Sequence, residues 1–325
     1  MATYRALYTD FPWADVGVEQ GILDEVDCQI VAAPDNKEAT QAALAPGVDV
    51  IITCWAPVTA RVIDAADRCR HIARTGIGLD NIDVRRATEL GILVTNVPDY
   101  CIHEVAEHAL ALVLTLGRKV AAYHLATKQG QYDLVAGLPV ERIRGKTLGI
   151  VGLGQIGKLL ADKASAIGMR VVGTNRSRKR IEGIEWAPLD KLLAESDFVS
   201  LQLPLNDQTR HMINRETLAR MKPTAFLINT SRGKLVDHAA LAAALAENRL
   251  AGAALDVQEP EPPDLSTPPF DDPRVIVTPH VAFYSSEATE ELRTRVARQA
   301  AAYLRGETPE NVVNPSVLSA SRSVD

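Results

Sequence analysis

Three side chains suited to proton transfer and anion binding, Arg232, Glu261 and His280, each follow an apolar segment in the second half of the chain. Histidine titrates near neutrality and can deliver a proton, and a carboxylate beside the imidazole favours its protonated form. An arginine can bind a carboxylate and polarise a carbonyl group. Together these residue types would suit reduction of a carbonyl group beside a carboxylate, in which oxygen receives the proton while carbon receives a hydride.

Each of the three residues also has a purely structural interpretation. His280 follows Thr278-Pro279 and could end a strand, Glu261 could be a loop acid among prolines, and Arg232 could form a surface ion pair. The carboxyl ends of parallel strands lie at one edge of a sheet, where such folds bind their ligands. Three strand ends that supply Arg, Glu and His therefore favour a catalytic site over three unrelated structural roles.

A glycine-rich turn predicts the source of the hydride. The segment GIVGLGQIGK follows an apolar strand and opens a helix, which places Gly152, Gly154 and Gly157 in the spacing of a dinucleotide-binding turn. The first glycine permits the tight turn, the second lets the backbone approach a diphosphate, and the third lets helix and strand pack closely. The helix amino terminus then faces the phosphates. We expect a nicotinamide dinucleotide at this turn, although a plain strand-turn-helix has the same outline.

The next strand, in VVGTNRSRKR, lacks the acidic residue that usually binds the ribose 2′-hydroxyl about 20 residues after the glycines. Asn175 stands at that position, followed by Arg176 and Ser177. An aspartate would repel a 2′-phosphate, whereas a guanidinium neutralises it and binds it with two hydrogen bonds. The sequence therefore favours NADP(H) over NAD(H). The alternative is that Arg176, with the positive charges at 178–180, belongs to a solvated loop.

Strands and helices alternate along most of the chain, which predicts parallel sheets covered on both faces. Five strand-like segments precede residue 100, and six more follow, from TLGIVGLG to RVIVTPH. Between the two series, one uninterrupted helical pattern runs from Ile102 through KVAAYHLATKQG. A last helix, SSEATEELRTRVARQAAAYLRGE, follows the final strand. We predict that it packs back on the first unit.

The predicted architecture is α/β, with a Rossmann-type doubly wound parallel sheet domain inserted into a second, smaller flavodoxin-like α/β domain. Residues 1–101 plus 287–325 form the discontinuous substrate-binding domain, and 102–286 form the dinucleotide-binding domain. Two segments crossing at the same boundary would act as a hinge over a cleft.

The net charge and the cysteine content of the chain limit the kinds of molecule that it is expected to bind. A formal net charge of -6, with no long basic block outside 176–180, argues against a nucleic-acid or membrane surface. The four cysteines contain no C-x-x-C pair, which indicates reduced thiols and neither a disulfide framework nor a metal site. The first residues, MATYRALYTDFPW, lack the apolar core of a signal peptide. We expect a cytoplasmic protein with a small-molecule substrate.

From ARTGIGLDNID to TPHVAF the chain resembles the D-isomer-specific 2-hydroxyacid dehydrogenase family, and it looks nearest to the C-terminal-binding-protein-like branch. The resemblance implies that Arg232, Glu261 and His280 are the catalytic triad and that Asp256 binds the nicotinamide carboxamide. It further implies a homodimer, which we expect to form through the 102–145 region. The implied cofactor contacts are Gly152, Gly154, Gln155, Ile156, Gly157, Asn175, Arg176, Ser177, Leu203, Pro204, Thr209, Thr230, Asp256 and His280.

In the first half of the chain, RTGIGLDNID ends a strand with glycines that expose backbone amides, a natural cradle for a carboxylate. By the resemblance, the amides of Ile77 and Gly78 bind the substrate's acid group, alongside Arg232. Trp55, just past VDVIIT, is a further candidate for the substrate pocket, although a tryptophan at a strand end is as often core. Four other histidines lie in helical or connecting segments and are assigned no role: His103, His108, His124 and His211.

Two other functions stay open. One is a dinucleotide-sensing module of the C-terminal-binding-protein type, which docks partner peptides; the chain lacks the long disordered tails that this interpretation would favour. The other is a phosphite-type dehydrogenase, whose catalytic trio looks similar. The formate type is disfavoured, because it carries an amide in the role assigned to Glu261.

Overall fold

The computed structural model of the protein describes residues 3–137, 139–178 and 180–320. It divides into two compact units, Met1–Tyr100 with Ser285–Asp325, and Cys101–Tyr284. These boundaries lie one and two residues before the predicted ones at 101/102 and 286/287. Lys179, one of the charges after the second strand of the dinucleotide domain, lies outside the described residues.

The first unit contains a five-stranded parallel sheet in the order β2-β1-β3-β4-β5, the strand order of flavodoxin-like folds. All five strands were predicted from the sequence. They are β1 (Tyr4–Tyr8), β2 (Cys28–Ala32), β3 (Val50–Thr53), β4 (His71–Arg74) and β5 (Leu93–Thr95), accompanied by helices α1 (Gly17–Leu23), α2 (Glu38–Leu44), α3 (Ala60–Ala65) and α4 (Val84–Glu89).

Both faces of this sheet are covered, which explains why strands such as β3 read as continuous apolar runs with no alternation. Every residue of β3 and β4 is buried. Ile51 and Ile72 enter the core with Val62 and Ile63 of α3. The polar ends of these strands are therefore the positions where side chains and amides can face solvent or a ligand.

The second unit contains a seven-stranded parallel sheet in the order β12-β11-β10-β9-β6-β7-β8. The strand order reverses between β6 and β9, as in a doubly wound dinucleotide-binding fold. The strands are β6 (Thr147–Val151), β7 (Arg170–Thr174), β8 (Glu185–Trp186), β9 (Phe198–Leu201), β10 (Phe226–Asn229), β11 (Gly252–Leu255) and β12 (Val275–Val277). The helices are α5 (Ile102–Arg118), α6 (Val120–Lys128), α7 (Gln155–Ala166), α8 (Leu189–Glu195), α9 (Arg215–Leu218) and α10 (His238–Ala246).

Six of these strands were predicted; β8 was missed because it has only two residues and neither is buried. The fold class is confirmed in both units, a doubly wound sheet in one and a flavodoxin-like sheet in the other.

The long helix predicted from Ile102 is in fact two helices, and the single-helix prediction is wrong. Helix α5 ends at Arg118, Lys119 takes a left-handed conformation with φ 56°, and α6 continues at a bend of 63°. One left-handed residue interrupts the i to i−4 hydrogen bonds. The Lys119 ammonium lies 4.8 Å from the centroid of the Phe226 ring, a contact that no helical periodicity reveals.

The last helices, α11 (Ser286–Leu304) and α12 (Ser316–Ala320), belong to the first unit. Arg293 of α11 donates two hydrogen bonds to the fully buried carboxylate of Glu19, at 2.9 and 2.7 Å, which ties the end of the chain to its beginning. Among the described residues, no single helix has the length and apolar character to span a membrane.

Candidate active site

The predicted site residues of the second unit lie at one edge of its sheet. All seven strands are parallel, so the segments that follow them meet at the same carboxyl edge. The glycine turn follows β6, the central strand at which the strand order reverses. The other predicted positions follow neighbouring strands: Asn175, Arg176 and Ser177 after β7, Leu203, Pro204 and Thr209 after β9, Thr230 and Arg232 after β10, Asp256 and Glu261 after β11, and His280 after β12.

Glu261 and His280 form a hydrogen-bonded pair. Nδ1 of His280 donates to Oε2 of Glu261 at 2.9 Å, and the other carboxylate oxygen accepts from the amide of Gln258, also at 2.9 Å. Burial opposes ionisation of Glu261, yet its pKa is lowered by the His280 hydrogen bond and charge, by the Gln258 amide and by the charge of Arg232. Glu261 is therefore an ionised partner that fixes the orientation of the imidazole through Nδ1.

His280 lies in a strained turn whose backbone amides are hydrogen-bonded to Asp256. Its φ is 51°, a left-handed value that few residues other than glycine adopt. The His280 amide donates to the Asp256 carbonyl at 2.7 Å, and the amides of Val281 and Ala282 donate to the two oxygens of its fully buried carboxylate, each at 2.9 Å. Such strain persists only where its surroundings over-determine the conformation. The predicted contact of Asp256 with a nicotinamide carboxamide stays a prediction.

The loop of Arg232 packs closely on the loop of Glu261, and the Arg232 guanidinium donates to the Ser231 carbonyl at 2.7 Å. A Cβ on Gly233 would overlap the backbone carbonyl of Gln258, so only glycine allows this approach. The buried Asn229 shapes the turn, accepting from the Ser231 amide and donating to the Arg232 carbonyl. Within this unit Glu261 is thus hydrogen-bonded to His280, and the charge of Arg232 helps to lower the pKa of Glu261.

The glycine turn has the geometry that a dinucleotide diphosphate requires. Gly152 has φ +103°, and a Cβ there would overlap the carbonyl of Gln202; a Cβ on Gly157 would overlap the carbonyl of Gly152. Around Gly154, by contrast, no described atom would lie within 4 Å of an added Cβ. Helix α7 begins at Gln155, and the amides of its first turn, including Ile156, lack carbonyl partners within the helix. These residues fit a diphosphate bound over Gly154.

The turn after β7 is open to solvent. Asn175 is half-buried, while Arg176 and Ser177 are exposed. The Ser177 hydroxyl lies 3.4 Å from Oδ1 of Asn175, and the Arg178 amide lies 3.3 Å from the Asn175 carbonyl. No acid occurs from 175 to 178. A guanidinium in this turn is accessible to an anionic group on the cofactor.

The remaining predicted cofactor residues shape two neighbouring loops. Thr209 donates to the carbonyl of Pro204 at 2.9 Å, which closes the loop that begins at Leu203. The hydroxyl of Thr230 accepts from the side-chain amide of Gln202 at 2.9 Å and links the ends of β9 and β10. These hydrogen bonds define the loops, and contact with the cofactor stays a prediction for Leu203, Pro204, Thr209 and Thr230.

In the first unit, the loop after β4 presents backbone amides. The carbonyl of Ile77 accepts from Asn96 at 2.8 Å, and the carbonyl of Gly78 accepts from the buried Arg74 at 2.9 Å. No described residue accepts a hydrogen bond from the amide of either Ile77 or Gly78. The loop is therefore suited to an anion. Trp55 follows β3 with 40% of its surface exposed, and its amide donates to Asp10.

One side chain that sequence reasoning set aside belongs to this site. Nε2 of His108, on α5, lies 3.2 Å from the Thr278 hydroxyl and 3.6 Å from Oδ1 of Asp256. The two residues of the closer contact are 170 positions apart, so no local pattern could indicate it. Within the described part of the chain, no cluster of three or more His, Cys, Asp or Glu side chains is arranged to bind a metal ion.

Comparison with known proteins gives a consistent set of relatives. Residues 110–282 match the family described as "D-isomer specific 2-hydroxyacid dehydrogenase, NAD binding domain". The glyoxylate reductase of Korarchaeum cryptofilum is 43% identical over 272 residues, which cover 81% of each chain.

Two solved structures are similar over nearly the whole length. The D-lactate dehydrogenase of Aquifex aeolicus, complexed with NAD and lactic acid, superposes with a TM-score of 0.86 at 28% identity, covering 95% of this chain and 99% of that one. The NADPH-dependent glyoxylate/hydroxypyruvate reductase of Sinorhizobium meliloti, in complex with NADP and malonate, gives a TM-score of 0.84 at 29% identity, covering 95% and 96%. Relatives of this fold thus use either dinucleotide.

Proposed function

Because the chain belongs to the D-isomer-specific 2-hydroxyacid dehydrogenase family and is an NAD(P)-dependent 2-hydroxyacid oxidoreductase, we propose that it reduces a short 2-keto acid to the D-2-hydroxy acid with NADPH. The observation that carries the proposal is the Glu261–His280 hydrogen bond, with Arg232 close enough to lower the pKa of Glu261. When bound, the nicotinamide supplies the hydride.

In the proposed mechanism His280 is the proton donor. Its Nδ1 is bonded to Glu261, so Nε2 is the nitrogen that faces the substrate oxygen. The ionised carboxylate stabilises the imidazolium until the proton moves to the oxygen that becomes the hydroxyl. Glu261 acts through His280 by orienting the ring and by compensating its charge.

Arg232 is proposed to bind the substrate carboxylate and to polarise the neighbouring carbonyl. A guanidinium stays charged throughout, so it stabilises the negative charge that develops on the carbonyl oxygen as the hydride arrives. In the first unit, the amides of Ile77 and Gly78 are assigned to the acid group of the substrate, since no described residue accepts a hydrogen bond from either amide.

The preference for NADPH rests on Arg176. The position that usually carries an acid holds Asn175, and an exposed guanidinium follows it. The 2′-phosphate of NADPH would gain a charge-assisted hydrogen bond there, while the 2′-hydroxyl of NADH would find no carboxylate to bind.

Glyoxylate is the first substrate to test, because curated relatives at 43%, 40% and 41% identity are glyoxylate reductases. The purified protein should oxidise NADPH rapidly with glyoxylate, hydroxypyruvate or pyruvate. The loss of NADPH absorbance measures the rate. Tight NADPH binding without turnover on any keto acid would contradict the proposal and favour a dinucleotide sensor. Reduction of NADP by phosphite in the same assay would favour the phosphite-type reaction.

The proposed assembly is a homodimer formed through the 102–145 region. Among the described residues of this region, five large apolar side chains are exposed, with Tyr132 at 91% and Leu134 at 75%; the others are Val120, Leu125 and Val135. Large exposed apolar side chains of this kind favour an interface, and a twofold axis would bury the same surface of both copies. Light scattering should give a dimer, and Leu125→Glu with Leu134→Glu should yield monomers. A monomeric wild type would refute the assembly.

The proposed compartment is the cytoplasm. The four cysteines are buried, and none of them forms a disulfide bond within the described part of the chain: Cys28, Cys54, Cys69 and Cys101. Reduced thiols of this kind support a reducing environment.

A further inference from the structure

His108 lies on helix α5 and contacts the turn that carries His280. Helix α5 buries Ala106, Ala109 and Leu112 against the core of the second unit. The His108 imidazole is half-buried, with Nε2 3.2 Å from the Thr278 hydroxyl. Thr278 begins the segment 278–282 that carries His280. The helix therefore fixes the His108 imidazole beside the first residue of that segment.

The hydrogen bonds around Thr278 determine where the protons lie. The Thr278 hydroxyl is 2.6 Å from Oδ1 of Asp256, and that oxygen also accepts from the Val281 amide. A carboxylate has no proton to give, so the single hydroxyl proton of Thr278 points to Asp256. Toward His108 the hydroxyl is then an acceptor. Nε2 of His108 must carry a proton and donate it.

This chain of hydrogen bonds ends on the residue with the strained backbone. The Asp256 carboxylate accepts from Thr278 and from the amides of Val281 and Ala282, and its carbonyl accepts from the His280 amide. If the Thr278 hydroxyl turned away, Oδ1 would lose its shortest hydrogen bond. The left-handed conformation of His280 would then be less strongly determined.

We propose that His108 is a positioning residue of the reaction: its Nε2–H donates to Thr278, which holds the Thr278 hydroxyl on Asp256 and thereby fixes the turn that presents His280. The inference rests on the proposed function in one respect only, because it takes His280 as the proton donor. The hydrogen-bond chain itself can be measured without any turnover.

The first test uses amide hydrogen exchange in the cofactor-free protein. His108→Leu removes the donor and keeps an apolar side chain on the helix, and the amides of Val281 and Ala282 should exchange about tenfold faster. His108→Gln places an amide donor near the position of Nε2 and should restore slow exchange. His103→Leu, at an exposed position of the same helix, is the matched control and should leave both amides unchanged. Equal exchange in His108→Leu and wild type would overturn the proposal.

The second test is kinetic and uses the keto acid that the wild type reduces best. His108→Leu should lower kcat about tenfold, since a small displacement of a catalytic group has a large effect, while KM and NADPH affinity change less than about threefold. His108→Gln should recover most of kcat. An unchanged kcat in His108→Leu, or no recovery in His108→Gln, would show that the histidine only fills space.

A double-mutant cycle that combines His108→Leu with Thr278→Val tests whether the two residues act through one chain of hydrogen bonds or independently of each other. If His108 acts through the Thr278 hydroxyl, the double variant should lose no more kcat than either single variant. Multiplied losses would contradict the proposal. If the wild type reduces no keto acid, the proposed function fails, whereas the exchange experiment still decides the role of His108.

Discussion

The turn after β12 and the turn after β7 lie at the same edge of the same sheet, yet they are held very differently. The first carries His280 at φ 51° and is bonded to the buried Asp256 through three successive amides. The second carries Arg176 in an exposed position, and the contacts that Asn175 makes with Arg178 and Ser177, at 3.3 and 3.4 Å, are long.

The difference follows from what each turn has to do. Proton transfer requires a fixed distance and angle, and an error of about 1 Å can cost about a hundredfold in rate. Attraction of a phosphate requires mainly a positive charge that a flexible side chain can adjust. We therefore expect changes in the β12 turn to act on kcat and changes in the β7 turn to act on cofactor affinity.

The largest effect is expected from His280→Asn. Asparagine retains a polar side chain but cannot act as an acid near neutral pH, so kcat should fall by about 10³-fold. NADPH affinity, measured by fluorescence titration, should stay within about twofold of wild type. Turnover near the wild-type rate would show that His280 is not the proton donor. Loss of NADPH binding would contradict the expectation that changes in the β12 turn act on kcat and not on cofactor affinity.

Gly233→Ala should have the next largest effect. Its Cβ would overlap the Gln258 carbonyl, so the loops of Arg232 and Glu261 must separate, with a loss of stability of about 1–3 kcal/mol and a lower kcat. Gly154→Ala is the matched control, because its Cβ meets no described atom within 4 Å.

The control should keep the thermal midpoint of the cofactor-free protein and lose NADPH affinity, since the methyl group occupies the space assigned to the diphosphate. Thermal unfolding and NADPH titration of both variants check the pair. The assignment of the two glycines would be wrong if Gly154→Ala unfolded the protein while Gly233→Ala did not.

Arg176→Asp should reverse the cofactor preference at nearly constant kcat. The carboxylate repels the 2′-phosphate and can accept from the ribose 2′-hydroxyl, so NADPH affinity should fall about 10- to 100-fold while NADH affinity rises. The ratio of kcat/KM for the two cofactors measures the change. Ser177→Ala, beside it, should alter the ratio by no more than about threefold. An unchanged ratio in Arg176→Asp would remove the argument from the 2′-phosphate.

The smallest expected effect is on stability in acid. The folded protein holds the pKa of Glu261 below its usual value, so its ionised form contributes stability above the unfolded pKa, and the contribution is lost as pH falls through the folded pKa. Glu261 is about a third exposed, which limits the effect to roughly 1 kcal/mol.

Glu261→Gln should therefore flatten the loss of stability below about pH 4.5, measured by urea unfolding across pH. Arg176→Gln should leave that profile unchanged, since its guanidinium lies in the exposed turn. Identical profiles for wild type and Glu261→Gln would show that ionisation of the Glu261 carboxylate does not contribute to the pH dependence of stability.

Much of this architecture was predictable because it depends on local patterns. Continuous apolar runs such as VDVIITC predicted buried parallel strands, and the glycine spacing after β6 predicted the turn at the point where strand order reverses. The break at Lys119 was not predictable, because a left-handed lysine leaves no mark in helical periodicity. The two-residue strand β8 was missed because it has no apolar run.

The sequence by itself determined which chemical groups stand at the ends of the strands: a guanidinium, a carboxylate and an imidazole, a glycine turn, and an arginine where an acid is usual. Only the tertiary structure decided that His108 and Asp256 support the His280 turn and that Gly233 lets two loops meet. The reason is physical. Strand ends follow from short-range periodicity, whereas hydrogen bonds between residues 170 positions apart depend on how whole elements pack.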